Sequence, residues 1–211
     1  MKIQFEVHTK SSSAIHEVKE FWMRQWSLIF KKLISQEADP RVFEEYDYHY
    51  VLRFNGQIGG IMSSSWQNIN QDFNQDPYYQ SLPNPSQTLN EVGMQNFHKM
   101  GMIAADTSIV PKGFKLTRVI IGCGMKFTKN ELKSCEGVVS FPRPDTSVYT
   151  ACVDWGAKTK QAGLVMYNAP VNFIVLRHSD LKASHPNSVI DEQVNGLWSE
   201  YINPQPLPLS A

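Results

Sequence analysis

The N-terminal part of the chain combines an alternating and a helical hydrophobic pattern. Ile3, Phe5 and Val7 alternate with polar residues, which predicts a half-buried strand over Lys2 to His8. Ser11 to Ser13 breaks this pattern and is expected to cap a helix. Apolar residues then recur at helical spacing, at Ile15, Val18, Trp22, Trp26, Ile29 and Leu33. The spacing predicts a helix whose two tryptophans face a core rather than a cofactor.

A β-hairpin is predicted after Asp39-Pro40 ends the helical region. The two strands are Tyr46 to Phe54 and Gln57 to Trp66. They are joined by Asn55-Gly56, whose positions tolerate the positive φ angles of a tight turn. Gly59-Gly60 in the returning strand indicates a β-bulge, or a close approach by another backbone or a ligand.

The segment Gln67 to Phe97 has a different composition, rich in Asn, Gln, Asp, Pro and Tyr and poor in aliphatic residues. A connection of this length inside a domain is typical of a lid, a binding loop or a disordered insert. Ser86 to Phe97 is a candidate short helix, with its inward side chains at Leu89, Val92 and Met94.

The stretch from His98 to Leu132 predicts a strand, a tight basic turn and a helix. Met100 to Val110 is the apolar strand, Pro111 to Gly113 the turn, and Val119 to Leu132 the helix. Free backbone N–H groups at a helix start attract anions, and basic side chains add full charges here at Lys112, Lys115 and Arg118. We therefore expect a phosphate-bearing cofactor in this turn.

An alternative interpretation is a plain crossover whose lysines are solvated, because the turn carries only Gly113 and matches neither the P-loop nor the dinucleotide fingerprint.

Further elements follow the central helix. They are a strand over Gly137 to Phe141, a helix capped by Asp145 or Thr146 and stopped at Gly156, strands over Lys160 to Tyr167 and Val171 to Leu176, and a helix over Asp191 to Tyr201.

Length and composition limit the possible classes of protein. The 211 residues fit a single domain over residues 1–203 with an insert at about 67–97, followed by a Pro-rich tail at 204–211. Twenty basic residues balance twenty acidic ones, which argues against a general nucleic-acid binder. We expect no signal peptide and no membrane span. The three cysteines form neither a CxxC pair nor a zinc pattern, so reduced thiols, no metal and a cytoplasmic location are expected.

The order of elements predicts an α/β (α+β) fold with a mixed sheet, antiparallel at the front and with parallel crossovers at the back. From about Ile3 to Leu176 the chain resembles the GNAT superfamily of acyl-coenzyme A N-acyltransferases, whose sheet is splayed at its centre. The resemblance is carried by VLRFNGQIGGIM, IAADTSIVPKGFKLTR and VDWGAK. The turn lacks the second glycine of the family, and Gly156-Ala157 replaces its Gly-Phe. The insert is similar to that of the branch of the superfamily that makes N-acyl amino acids and acyl-homoserine lactones.

The resemblance implies transfer of an acyl group from a thioester to an amine or amino acid. The donor is coenzyme A or the phosphopantetheine of an acyl carrier protein. It implies that a backbone N–H at about Ile109 or Val110 polarises the thioester oxygen. The donor-binding residues would be Ile109, Val110, Lys112, Gly113, Phe114, Lys115, Leu116, Thr117 and Arg118.

The candidates for proton transfer are less specific. Asp106, His98 and Glu91 are candidate bases for the amine. A surface or turn-capping aspartate and a structural or exposed histidine are the more common interpretations of the first two residues. The family's acid, a tyrosine, would fall at Cys152, and Tyr149 lies one helical turn earlier. Cys152 is also a candidate nucleophile, although no histidine is placed beside it by the sequence.

Ser64 and Trp66, at the end of the second hairpin strand, are candidates for orienting the acceptor, together with Glu91; the alternative is an ordinary solvent-facing strand end. Two other functions remain open at this point. One is a non-catalytic module of the same fold that binds an acyl thioester. The other is an unrelated α+β interaction domain that uses its Pro-rich tail as a peptide ligand.

Overall fold

The computed structural model describes residues 1–202, so the Pro-rich tail at 204–211 lies outside the described residues. Within them the strands are β1 (Ile3–His8), β2 (Tyr48–Phe54), β3 (Gln57–Asn68), β4 (Asn96–Ala105), β5 (Gly137–Ser140), β6 (Lys158–Met166) and β7 (Ala169–Arg177). The helices are α1 (Ile15–Ile34), α2 (Pro40–Glu44), α3 (Pro85–Val92), α4 (Leu116–Asn130), α5 (Ser147–Asp154) and α6 (Ser188–Ile202). None of these helices is long and apolar enough to cross a membrane.

The strands form one sheet in the order β1-β2-β3-β4-β5-β7-β6. Neighbouring strands are antiparallel except β4 and β5, which are parallel. The predicted mixed α/β fold is confirmed.

The parallel contact between β4 and β5 is short. It consists of the pairs His98↔Val138 and Lys99↔Val139, after which β5 ends at Ser140 while β4 continues to Ala105. The two strands therefore part at Met100, and we call the opening between them the fork. A sheet splayed at its centre, as the sequence resemblance implied, is what the structure shows.

Helices cover both faces of the sheet. One face packs under α4, α5 and α6, in a core that contains Tyr50, Met62 and Val138. The neighbouring residues Val51, Ile61 and Val139 point to the opposite face, because side chains alternate along a strand. That face is covered by α1 and α2 over the front strands and by the insert with α3 over the back strands.

The structure corrects several local predictions. The central strand lies at Asn96–Ala105 rather than Met100 to Val110, because the chain turns directly after Ala105. Helix α1 has Ala14 at its N-cap without a side-chain cap, and Ser12 Oγ instead accepts a hydrogen bond from the Thr9 amide. Helix α2, with Pro40 in its first turn, was not predicted. The insert is ordered, since Phe73 and Leu82 are buried in its own core.

The glycine pair in β3 has a clear packing reason. The register between β2 and β3 shifts between Leu52 and Arg53, which confirms a bulge beside Gly59. A Cβ atom on Gly60 would lie 2.5 Å from Leu116 Cδ1 at the start of α4. The close approach therefore comes from the helix that follows the central strand.

Candidate active site

The turn between β4 and α4 exposes backbone donors and two cations. Gly113 has a φ of 87° and open space around it, and the exposed Lys112 and Lys115 flank it. The amides of Arg118 and Val119 donate to the Lys115 carbonyl. Within residues 1–202 the amides of Leu116 and Thr117 have no hydrogen-bond partner. These are the free N–H groups that bind an anion at a helix start.

The other side chains of the turn hold it in place. Phe114 packs edge-on against Phe54, with ring centroids 5.1 Å apart, and Leu116 is buried against Gly60. Thr117 Oγ1 lies 3.3 Å from Ser147 Oγ on α5. The turn is thus anchored both to the hairpin and to α5.

Arg118 differs from the prediction of a free charge in the turn. Its Nε donates to Asp154 Oδ2 at 2.8 Å, and its carbonyl accepts from Trp155 Nε1 at 3.0 Å. The guanidinium is therefore paired with a carboxylate of α5. Lys112 and Lys115 have no carboxylate within 4.0 Å in the part of the chain that the structure describes, so they remain available to an anion.

Ile109 and Val110 do not lie where a thioester oxygen could use their amides. Both N–H groups donate to the Asp106 carbonyl, at 3.1 Å, in the turn that ends β4. The prediction for these two donors is corrected by this geometry, since the strands part at Met100, well before that turn.

A bulge in β4 lies at the fork instead. Ile61 pairs with Ala104 and Ser63 with Gly101, so Met102 and Ile103 together stand opposite one residue of β3. Met102 has a φ of 52°, and its carbonyl accepts from Trp26 Nε1 at 3.1 Å. Neither bulge residue has a partner residue among the described strands on either side. The register therefore makes Met102 and Ile103 the candidates for backbone donors that face the fork.

A cavity of about 380 Å³ opens beside this bulge, on the α1 face of the sheet. Its walls are mostly apolar and come from α1, the bulge, the β5–α5 connection and the β6–β7 hairpin; they include Trp26, Ile29, Leu33, Gly101, Ile103, Val148, Met166 and Val171. Lys32 and Arg143 are the charged residues of the lining. A smaller cavity, about 20 Å³, lies on the α4 face and shares Ile103, Ser140 and Val148 with the larger one. The fork thus has cavities on both faces of the sheet.

Three tyrosines that sequence reasoning did not single out also line the larger cavity: Tyr46, Tyr78 and Tyr167. The Tyr78 hydroxyl donates to the Met100 carbonyl at 3.0 Å. Burial raises the pKa of Tyr46 and of Tyr78, so both phenols stay protonated. The tyrosine-rich insert was the one signal for Tyr78, and no local pattern indicated where its chain would fold.

The predicted bases are occupied by structural contacts. The Asp106 carboxylate accepts hydrogen bonds from the Ser108 amide, at 3.0 Å, and from the Ser108 hydroxyl. These hydrogen bonds hold the pKa of the carboxyl below its usual range. His98 is buried, with Nδ1 3.1 Å from Ser64 Oγ, which also lies 2.8 Å from the Tyr50 hydroxyl. Burial lowers the pKa of His98 to about 4. Neither residue lines a described cavity.

The remaining candidates are dispersed. The Tyr149 hydroxyl lies 3.0 Å from Thr159 Oγ1, and Cys152 lines the smaller cavity, where burial raises the pKa of its thiol to about 12. Glu91 is exposed on α3 and accepts from Gln87 at 2.9 Å. The Trp66 side chain is exposed, and its amide donates to Asp47. Of the predicted catalytic set, Cys152 alone lines one of the described cavities.

The sequence matches no protein-family model and no curated protein sequence. Solved structures share its fold. A protein assigned as arylalkylamine N-acetyltransferase 7 of the yellow fever mosquito Aedes aegypti superposes with a TM-score of 0.60 at 10% identity, over 82% of this chain and 87% of that one. FeeM, an N-acyl amino acid synthase from uncultured soil microbes, gives 0.58 at 11% identity, over 85% and 93%. The AHL synthase LasI gives 0.58 at 9% identity, over 84% and 90%.

At these identities the likeness establishes architecture rather than substrate, because one fold serves many activities. The seven-stranded sheet and the parting of its central strands agree with the resemblance found in the sequence, and the interpretation as an unrelated α+β domain is set aside. The chain has the fold that these structures share, which is the GNAT fold that the sequence resemblance implied.

Proposed function

We propose that this chain is an N-acyltransferase, which moves an acyl group from a thioester to an amine or amino acid by direct attack in a ternary complex. One observation carries the proposal: a helix start with free amides and two exposed lysines, a fork between strands and an apolar cavity lie together around β4. An acyl thioester has the same three parts, which are its phosphates, a thin pantetheine arm and an acyl group.

The donor's phosphates would bind at the turn. Free amides at Leu116 and Thr117 and the ammonium groups of Lys112 and Lys115 supply donors and charge. Coenzyme A and the phosphopantetheine of an acyl carrier protein both present a phosphate of this kind.

The thioester carbonyl would lie at the bulge. Met102 and Ile103 have no partner in the register between β3 and β4, and a backbone N–H of this bulge would stabilise the negative charge that develops on the carbonyl oxygen. Such donors are fixed before the reaction, so no reorganisation is needed when the charge forms.

The larger cavity supports an apolar acyl group or an apolar acceptor. Its volume of about 380 Å³ lies in the range of small-molecule sites. Lys32 and Arg143 at this lining would favour an acceptor with a carboxylate, as an amino acid has; Arg143 also pairs with Asp145 at 2.6 Å. The likeness to FeeM and LasI supports a place near the branch that makes N-acyl amino acids and acyl-homoserine lactones.

Proton removal from the amine would not depend on a strong base. The described residues that line the larger cavity include no Asp, Glu or His, so water is the proposed acceptor of this proton. Cys152 lies in the smaller cavity with a protonated thiol, which supports direct attack by the amine rather than an acyl-enzyme.

Thermal unfolding with acetyl-coenzyme A, decanoyl-coenzyme A or free coenzyme A tests donor binding. A ligand that binds only the native state stabilises it by about 2.7 kcal/mol at a concentration of 100 times Kd, and the midpoint rises. Mass spectrometry then tests for amides formed from decanoyl-coenzyme A and a panel of amines and amino acids.

A midpoint shift together with amide formation supports the proposal. A shift without any amide product favours the non-catalytic acyl-thioester-binding module. No shift with any of these ligands, and none with a decanoylated acyl carrier protein, contradicts both functions.

A further inference from the structure

The insert places one side chain, Tyr78, at the apex of the fork. Tyr78 lies in a short 3₁₀ turn, Pro77–Tyr79, where its amide donates to Asp76 Oδ1 at 2.9 Å. Its ring packs edge-on against Tyr79 and Phe141, with centroids 5.1 and 5.2 Å away. The buried core of the insert therefore fixes the position of the phenol.

The Tyr78 hydroxyl lies at the point of β4 where its pairing with β5 stops. It donates to the Met100 carbonyl of β4 at 3.0 Å, and Tyr78 lines the larger cavity together with Ser140 and Phe141 from the β5 side. A Cβ atom on Gly101 would lie 3.5 Å from this hydroxyl. The phenol oxygen is thus next to the bulge at Met102.

We propose that Tyr78 is the catalytic proton donor of the acyl transfer. The inference rests on the proposed function. In the resemblance to the family this task falls to α5, at the position of Cys152, whereas here the insert supplies the hydroxyl from the other face of the sheet.

The chemistry balances with this one hydroxyl. The amine nitrogen attacks the thioester carbon and a C–N bond forms, while the carbonyl oxygen takes up negative charge. When the C–S bond breaks, the sulfur leaves with the bonding electrons and receives the Tyr78 proton. The phenolate then regains a proton that the nitrogen has released through water, so the products are an amide and a thiol.

The surroundings of Tyr78 suit a donor. Lys99 is buried, and its ammonium lies 5.4 Å from the centre of the Tyr78 ring and 3.6 Å from Asp76 Oδ2. The same ammonium lies 3.9 Å from Glu45 Oε2, so Lys99 would offset the repulsion between these carboxylates and a transient phenolate. Burial keeps the phenol protonated beforehand, because it raises the pKa of Tyr78.

Tyr78→Phe tests the proposal, with Tyr79→Phe as its matched control. Tyr79 is the neighbouring buried tyrosine, and its hydroxyl has no hydrogen-bond partner within residues 1–202, so its removal leaves no acceptor unsatisfied. Tyr78→Phe should lower kcat about 100-fold with KM nearly unchanged, as expected for loss of a general acid. Tyr79→Phe should retain the wild-type kcat, and both variants should keep the donor-induced midpoint shift.

A second donor separates chemistry from structure. With the S-(4-nitrophenyl) decanoyl thioester, whose thiolate leaves without protonation, the deficit of Tyr78→Phe should shrink to less than about 10-fold. Wild-type turnover by Tyr78→Phe, or an equal deficit with both donors, overturns the role of Tyr78 and leaves the proposed function intact. If the wild-type protein binds the donors and forms no amide with either, the proposed function fails and the role of Tyr78 fails with it.

Discussion

Leu116 and Gly60 are in such close contact that the first turn of α4 fits against β3 only where that strand has no side chain. A Cβ atom on Gly60 would lie 2.5 Å from Leu116 Cδ1 and 3.0 Å from its Cγ. Leu116 is buried and also provides one of the free amides of the proposed phosphate site. The packing of the hairpin and the geometry of the turn are therefore linked.

Gly60→Ala should destabilise the protein and weaken donor binding together. We expect a loss of about 1–3 kcal/mol in the free energy of unfolding, the usual cost of an added methyl in a packed core. Urea unfolding measures the loss. Gly196→Ala, at an exposed site in α6 with nothing within 4 Å, is the control and should stabilise the protein by about 1 kcal/mol. An unchanged stability of Gly60→Ala would show that Leu116 moves aside at little cost.

Reversal of charge in the turn should affect phosphate-bearing donors. Lys112→Glu with Lys115→Glu should abolish most of the midpoint shift with coenzyme A, while the unliganded midpoint stays near its wild-type value, because both side chains are exposed. The matched control is Lys129→Glu with Lys133→Glu, the same charge change at exposed positions near the far end of α4. Equal shifts in the two double variants would remove the turn from the proposed site.

A larger side chain in the cavity should change the preference for chain length. Ile29→Trp reduces the volume of about 380 Å³, so the midpoint shift with decanoyl-coenzyme A should decrease while that with acetyl-coenzyme A persists. Leu28→Trp is the control, because Leu28 is 65% exposed and does not line the cavity. If both variants keep the decanoyl shift, the acyl chain lies elsewhere.

Stability should fall in mild acid through His98. Its pKa is lowered from 6.5 to about 4 by burial, so the unfolded chain binds more protons between these values. The contribution of neutral His98 to the free energy of unfolding is present above pH 6.5 and is lost as pH falls towards 4. The loss amounts to about 2–3 kcal/mol at pH 4.5. His49 acts in the same direction, with a pKa of about 3. Urea unfolding across this pH range measures the free energy of unfolding. This free energy should depend less steeply on pH in His98→Gln than in the wild type or in the variant of an exposed histidine, His16→Gln.

Elements with a local cause were predictable from the sequence. Asn55-Gly56 specifies the hairpin because both residues adopt positive φ, and the helical spacing from Val18 to Trp26 specifies α1. The Gly-terminated helix α5 is also confirmed, since Gly156 has a φ of 110°. In each of these cases the residues that cause the structure are neighbours in sequence.

The site depends on contacts between distant residues, which local patterns do not encode. The bulge at Met102 arises from the register between β3 and β4, and Asp106 falls in a turn because the strand ends one residue earlier. Tyr78 reaches Met100 across 22 positions, through an insert whose own core decides its path. The basic turn was found because its charges and its glycine are contiguous in the chain.

The short contact between β4 and β5 also leaves the two parts of the sheet joined by few backbone pairs. Two residue pairs, His98↔Val138 and Lys99↔Val139, form a narrow seam between the four strands before it and the three after it. A molecule bound in the fork would contact strands on both sides of this seam and would hold the two parts of the sheet together. Amide hydrogen exchange at Val138 and Val139 should accordingly slow down when the fork is filled, which would make the seam a built-in reporter of occupancy.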